Sequence, residues 1–414
     1  MYHQRFVLTT LMRLPLFQGN LADDEDFRRD LTDLRNMAID KNVVLLLLRH
    51  EVVELILRIT ETSADNQLVV ILLGMVRNMC CVEETHRFLY DNETLLLRLC
   101  GFLNSNDPLV LEQMMKIITT ILEQSNDEYF WFQMICEIHG IAERLAYILR
   151  ISTSRDLLES TMEAVHAMAE RFTETEVDYF ELDEFYELFG KTCLIEGLME
   201  GFKQLYPDTT FVDHNLLVKE DLKIINKFLD IHENFIINAE DVYEDQIENV
   251  LECFYRVLVP ISAEACLIPL YNAHARIIVR INELCSDDNV RQFHAGMYRA
   301  MLKIFTVLSY NLNDYFEQDQ RPHEAMDLDE DDHDDYCPVE NQKTLQFVLG
   351  YLYHVAQPIP SRTLANVMKL CSPFNEEILR RLCAALQYTM DGDPLLGKTC
   401  NLLMESAWTA WNDE

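Results

Sequence analysis

Helical periodicity that recurs at a near-constant interval constrains this chain more than any other feature. Leu68, Ile71, Leu72, Met75, Val76 and Met79 fall on one face of a helix. Leu111, Met114, Met115, Ile118, Ile121 and Leu122 repeat the pattern, and Leu158, Met162, Val165 and Ala169 give it a third time. Leu72, Met115 and Met162 are then equivalent, at offsets of 43 and 47 residues. The helix before each keeps the same spacing, so that Val52, Leu95 and Ala142 correspond, as do Ile56, Leu99 and Ala146. Polar turns close those helices at residues 62–65, 104–107 and 152–155, and a shorter helix precedes each pair near 43–49, 85–90 and 129–137. Three helices recurring every ~40 to 47 residues predict an all-α, armadillo/HEAT-like α-solenoid, a right-handed superhelix of stacked helices. One such repeat cannot bury its apolar face alone, and stacking creates a continuous core.

The pattern divides the 414 residues into segments. Residues 1–24 read as an N-terminal leader, 25–172 as the armadillo-like repeats and 173–316 as continuing helical repeats. Within the last of these, helical patterns fall at 194–205, 216–229, 247–258, 267–284 and 293–312. Residues 317–340 break the composition: 317–336 read EQDQRPHEAMDLDEDDHDDY, acids with a single Arg. A block of like charge buries too little apolar surface to offset its ordering entropy, so a disordered acidic loop is expected. Residues 341–414 read as a C-terminal helical cap. Asp107-Pro108, Ser372-Pro373 and Asp393-Pro394 each place a capping oxygen before a proline suited to the first helical position.

Charge narrows the partners. With 34 Lys and Arg against 70 Asp and Glu, the formal net charge is −36. That field repels nucleic-acid phosphate and anionic membrane and attracts basic proteins. The expected partner is therefore a basic protein, with no nucleic acid, membrane or small-molecule substrate. Most of the 12 cysteines, among them Cys100, Cys136, Cys193, Cys253, Cys383 and Cys400, sit in apolar helical stretches without a CxxC pair. They read as reduced core thiols. The longest aliphatic run, 43–48, is far too short to span a bilayer.

Signatures of chemistry are missing from the sequence. No GxSxG, P-loop, GxGxxG or HExxH occurs, so no catalytic, cofactor or metal residues are expected. Asp327, Asp329 and Asp331 alternate as in the opening of an EF-hand. The loop then needs Gly at its sixth position and Glu at its twelfth, where Asp332 and Pro338 stand. His139, His166 and His274 lie on or beside apolar helical faces and read as structural. Candidate protein-binding residues are the acids Asp327, Asp329, Glu330, Asp331, Asp332, Asp334 and Asp335, as a tether for a Lys/Arg-rich partner, together with Arg77 and Asn78.

The last two belong to Gly74-Met75-Val76-Arg77-Asn78-Met79, which resembles the third-helix signature of armadillo repeats. There Gly permits close packing and Asn sits near the groove. Asn78 reads either as a cap or core-edge residue or as a ligand contact. Its equivalents are Ile121 and Met168, so the asparagine row of importin-α-like cargo grooves is missing. Residues 34–169 resemble the serum amyloid A-like family of armadillo-type proteins. The segments carrying the likeness are 37–40 with 43–47, 73–80, 104–108 ahead of 111–122, Trp131, and 152–158 ahead of 162–168. The resemblance implies a non-enzymatic nuclear protein linked to promotion of cell proliferation. No Lys/Arg cluster here looks like a nuclear import signal, so nuclear residence would depend on a partner or another signal. A protein-binding scaffold or adaptor is the expected function; the alternatives are a regulatory subunit of an enzyme and an import-receptor-like carrier of basic cargo.

Overall fold

The computed structural model describes residues 4–125, 131, 134–135, 138–173, 188–207, 217, 219–238, 244–262, 272–286, 292–318, 338–369, 397–399 and 401–405. Their regular structure is helical, with no strand among the described residues. The chain forms two compact units, residues 1–201 with 230–238, and residues 202–229 with 239–414. The expected all-α solenoid is what the first unit builds.

In that unit the helices are α1 (Gln4–Arg13), α2 (Glu25–Met37), α3 (Lys41–Arg49), α4 (Val52–Thr62) and α5 (Asn66–Met79). They continue with α6 (Glu83–Tyr90), α7 (Glu93–Cys100), α8 (Pro108–Gln124), α9 (Ile141–Ile151) and α10 (Arg155–Thr173). Corresponding helices of successive repeats touch: α3 packs on α6, α4 on α7 and α5 on α8. The third helices form one ladder, α2 on α5, α5 on α8 and α8 on α10. Every residue of the third-helix faces that defined the repeats from the sequence is buried, from Leu68 and Met79 to Met162 and Ala169, while Leu95 of the preceding helix is half-buried. Alternation with period 3.6 does this because it puts a continuous apolar stripe against the neighbouring repeat.

N-caps set the register. Asp65 Oδ1 accepts from the backbone N–H of Gln67 (3.0 Å) and Leu68 (3.2 Å) at the start of α5. Asp107 does the same for Leu109 (2.8 Å) and Val110 (3.3 Å) at the start of α8, with Pro108 in the first turn. Capping removes two orphan donors per helix. The second carboxylate oxygen then reaches the preceding repeat: Asp65 Oδ2 accepts from Leu21 N at 2.6 Å, and Asp107 Oδ2 accepts from the Asn66 amide. The caps align Leu72 with Met114, one residue away from the Met115 that apolar periodicity suggests. Adjacent residues of a helix are about 100° apart, and Met114 and Met115 are both buried, so the apolar pattern alone leaves that step open.

A cationic staple recurs beside the caps. Arg144 of α9 donates from Nε to Leu103 O (2.7 Å) and from Nη2 to Ser105 O (2.6 Å), the carbonyls that close the previous repeat. A guanidinium suits this site, where exposed carbonyls gather at a helical end. Residues 4–23, expected as a leader, contain α1, and Val7, Leu14 and Leu21 are buried. Still in the first unit, Gly197 and Gly201 lie against α9. A methyl group at Gly197 would stand 2.8 Å from Ala146 Cα, and one at Gly201 3.2 Å from Leu149 O.

Two helices contribute residues to both units, α11 (Thr192–Leu205) and α12 (Lys219–Asn238). The second unit contains α13 (Ile247–Ile261), α14 (Asn272–Leu284), α15 (Ala295–Gln318), α16 (Pro338–Ala356) and α17 (Ser361–Lys369). Here α13 packs on α15, α14 on α16, and α15 on α16. Phe254, Ile278, Tyr298, Phe305 and Leu352 fill its core. Arg256 of α13 repeats the staple, donating from Nη1 to Lys203 O (3.3 Å) and Tyr206 O (3.2 Å). Helix α15 runs on to Gln318 and α16 begins at Pro338, so helices occupy both ends of the segment expected as a loop at 317–340. The intervening residues 319–337, and the capping pairs at 372–373 and 393–394, lie outside the described residues.

Candidate protein-binding surface

Gly74, Arg77 and Asn78 occupy one face of α5, at the i, i+3 and i+4 positions of a helix. Asn78 is 4% exposed. Its Nδ2 donates to the carbonyl of Arg35, 43 residues earlier, at 2.7 Å. Its Oδ1 accepts from Arg77 Nη2 at 3.0 Å. Of the two readings the sequence allowed, this geometry is that of a core-edge residue: the amide adds a second donor to a carbonyl that already accepts from Ala38 N (3.2 Å) at the end of α2, and ties one third helix to the next. Left without its acceptor at that depth, the Asn78 amide would cost about 1–3 kcal/mol.

Arg77 is half-buried, as are Arg35 on α2 and Gln113 on α8. Gly74 explains how these side chains meet. A methyl group at Gly74 would sit 3.0 Å from Arg35 Cδ and 3.2 Å from Gln113 Oε1. The missing Cβ therefore leaves the gap across which the Arg35 stem lies, with the α8 amide on its other side. Neither Arg35 nor Arg77 has a carboxylate within ion-pair distance among the described residues; Arg35 Nη2 donates to Asn36 Oδ1 at 3.3 Å. Neighbouring cations of α2 differ: Arg28 pairs with Glu25 (3.2 Å) and Arg29 with Asp26 (2.8 Å).

Beside this row runs an open groove of about 830 Å³, walled by Arg28, Arg29 and Thr32 of α2 and by Gln67 and Val70 of α5, and reaching Arg35. Leu109, at the start of α8, stands at its edge with 53% of its surface exposed. The groove can offer hydrogen bonds, charge and modest apolar contact to an extended chain. Among the described residues no cluster of three His, Cys, Asp or Glu side chains could hold a metal ion.

The other sequence candidates fall elsewhere. Asp327, Asp329, Glu330, Asp331, Asp332, Asp334 and Asp335 lie outside the described residues. His166 is buried, with Nε2 3.1 Å from Asp230 Oδ2 and Nδ1 3.5 Å from Glu170 Oε2. His274 is buried in the second unit and His139 is exposed in a turn. Cys80, Cys253 and Cys285 are buried free thiols, and burial pushes Cys285 up to about 12. No described helix is long and apolar enough to cross a membrane. Arg35 and Gln113 were missed by motif reading. A coarse signal was present, because Arg35 precedes Asn78 by 43 residues, close to one repeat.

No protein-family model matches the chain. Among curated proteins, SAAL1 of Danio rerio is 29% identical over 134 residues, which is 32% of this chain and 29% of that protein. SAAL1 of Homo sapiens is 25% identical over 142 residues, 34% of this chain and 30% of that protein. SAAL1 of Mus musculus is 26% identical over 148 residues, 36% of this chain and 31% of that protein. Over about a third of its length, and across less than a third of theirs, this helical-repeat chain is homologous to the SAAL1 (serum amyloid A-like 1) proteins.

Proposed function

We propose that this protein is a non-enzymatic binding scaffold whose third-helix groove and acidic charge recruit a basic protein partner. The observation that carries the reading is the open groove along α2 and α5, built on a ladder of stacked helices. Homology to SAAL1 proteins over part of the chain, and a helical-repeat fold, fit a protein without catalytic activity. A net charge of −36 adds long-range attraction for cations, which raises association rates and fixes orientation. The acids between 327 and 335 act in this reading as a tether for Lys/Arg-rich sequence. Nuclear residence and a link to cell proliferation follow from the resemblance and are part of the proposal. An asparagine-ladder carrier of basic cargo is disfavoured, because the Asn78 amide is already engaged within the fold.

The test is affinity purification of the full chain beside a version lacking residues 317–336, followed by association kinetics of any stoichiometric partner at low and high salt. A basic partner whose association slows as salt rises supports the scaffold reading. Binding that ignores salt removes the electrostatic half of it, and the absence of any stoichiometric partner removes the whole. Microscopy of the tagged chain in dividing cells reads the nuclear component separately.

A further inference from the structure

We infer that the Arg35–Arg77 pair is an anchor for one carboxylate of a bound protein segment, a carboxylate set within otherwise neutral or basic sequence. The inference rests on the scaffold reading and specifies the chemistry that one point of its groove recognises.

Charge balance is the first observation. In a chain with 70 acids, Arg28 and Arg29 of α2 pair with Glu25 and Asp26, and Arg98 of α7 and Lys116 of α8 pair with Glu61 and Glu112. Arg35 and Arg77 have no such partner among the described residues, although both are half-buried. Partial burial strips hydration from a guanidinium and leaves its remaining donors in want of an acceptor. A folded chain this rich in carboxylates that keeps them away from both guanidinium groups, on residues joined through the Asn78 amide, leaves the position open to an anion from outside.

Geometry is the second. The Asn78 amide links the two: its Oδ1 holds the Arg77 head at 3.0 Å while its Nδ2 holds the backbone of Arg35 at 2.7 Å. The Arg35 stem is laid across Gly74, with Gln113 Oε1 facing it from α8. Three successive third helices thus supply two forked donors and one amide, on side chains that packing has already restrained. Forked donors match the two oxygens of a carboxylate. Pre-placement lowers the entropy lost on binding.

Whole-molecule charge selects the context of that carboxylate. A strongly acidic segment is repelled at long range by a net charge of −36, whereas a basic segment bearing a single Glu or Asp is attracted as a whole and registered by its acid. The acid then works as a register mark along an otherwise electrostatically held chain.

The experiment uses the full chain and an array of immobilised twelve-residue peptides of Lys, Ser, Gly and Leu. Each peptide carries one Glu, one Gln or neither at every position. The natural protein is expected to prefer a Glu over a Gln at fixed positions by about tenfold, the scale of a charge-assisted contact. The double variant Arg35→Gln with Arg77→Gln is expected to keep the preference for Lys and lose the preference for Glu. Gly74→Ala gives a second reading that leaves both charges in place. Its methyl group presses only on the far ends of flexible side chains, the Arg35 stem and the Gln113 amide, and it is expected to weaken the Glu preference with an unchanged thermal unfolding midpoint. Equal selection of Glu and Gln by the natural protein, or the same Glu preference in the double variant, overturns the inference while the preference for Lys still reports on the scaffold. Loss of the Lys preference in the natural protein overturns the scaffold reading instead.

Discussion

At the residue scale, single polar side chains do two tasks at once. The carboxylate of Asp65 caps α5 with one oxygen and accepts Leu21 N with the other. Asp65→Ala therefore removes a cap and a link to the preceding repeat, and is expected to cost about 2 kcal/mol, against about 1 for a cap alone. Arg144→Ala removes both donors to Leu103 O and Ser105 O, and the expected loss is again about 2 kcal/mol. Lys in place of Arg144 offers one flexible ammonium where two fixed donors are needed, so it should recover less than half of that loss. Denaturant unfolding of the three variants reads these values, and losses below about 0.5 kcal/mol would show that the links between repeats are incidental. Glu51 is the non-glycine residue with left-handed backbone among those described, at φ 52°, immediately before α4. Gly140 fills the matching place before α9 at φ 73°, which shows the residue this turn prefers.

At the element scale, the same substitution should change sign with its surroundings. Gly197→Ala drives a methyl group to within 2.8 Å of Ala146 Cα, backbone that cannot yield without separating two helices. The expected cost is about 2–3 kcal/mol, even after the gain in helix propensity. Gly101→Ala meets nothing within 4 Å in a helical conformation at φ −56°, and should stabilise by about 0.5–1 kcal/mol through the unfolded chain. Thermal unfolding midpoints moving in opposite directions confirm the contrast; a shared direction refutes the close approach at Gly197. These two glycines look alike in the sequence. Apolar periodicity and capping residues locate helices because both are local, whereas a helix–helix distance depends on residues some fifty positions apart. For the same reason Arg77 and Asn78 could be picked out as a motif while the role of Asn78 stayed open. Only the carbonyl of Arg35 decides it.

At the scale of the whole molecule, pH and salt act through opposite features. Burial pushes His232 down to about 3, so it stays neutral in the folded chain, while the unfolded chain takes up a proton below about 6.5. Its contribution to stability is complete above about 6.5 and falls by about 1.4 kcal/mol per pH unit below that, so about 2 kcal/mol is lost between pH 7 and 5. Burial lowers His86 and His294 too, and their effect has the same sign. The natural protein should therefore melt earlier at pH 5 than at pH 7, and His232→Gln should show a smaller difference; an equal difference would exclude His232 as a source. Salt should do the reverse of acid. A net charge of −36 repels itself, and screening should raise the unfolding midpoint of the full chain as ionic strength increases.

The sequence by itself determined the helical class, the repeat interval to within a residue, the cap at Asp107 and the acidic charge. Each follows from residues close along the chain, or from composition, and needs no knowledge of what lies opposite. Tertiary structure decided the rest: the one-residue register set by the caps, the arginine staples, and the residues 4–23 folded into the first unit. It also decided that the asparagine of the armadillo-like signature serves packing, while two arginines beside it have no carboxylate partner among the described residues. Those outcomes turn on which side chains meet across a helix interface. A periodic pattern fixes the face that is buried, but the partner of each polar atom is chosen only when the repeats stack.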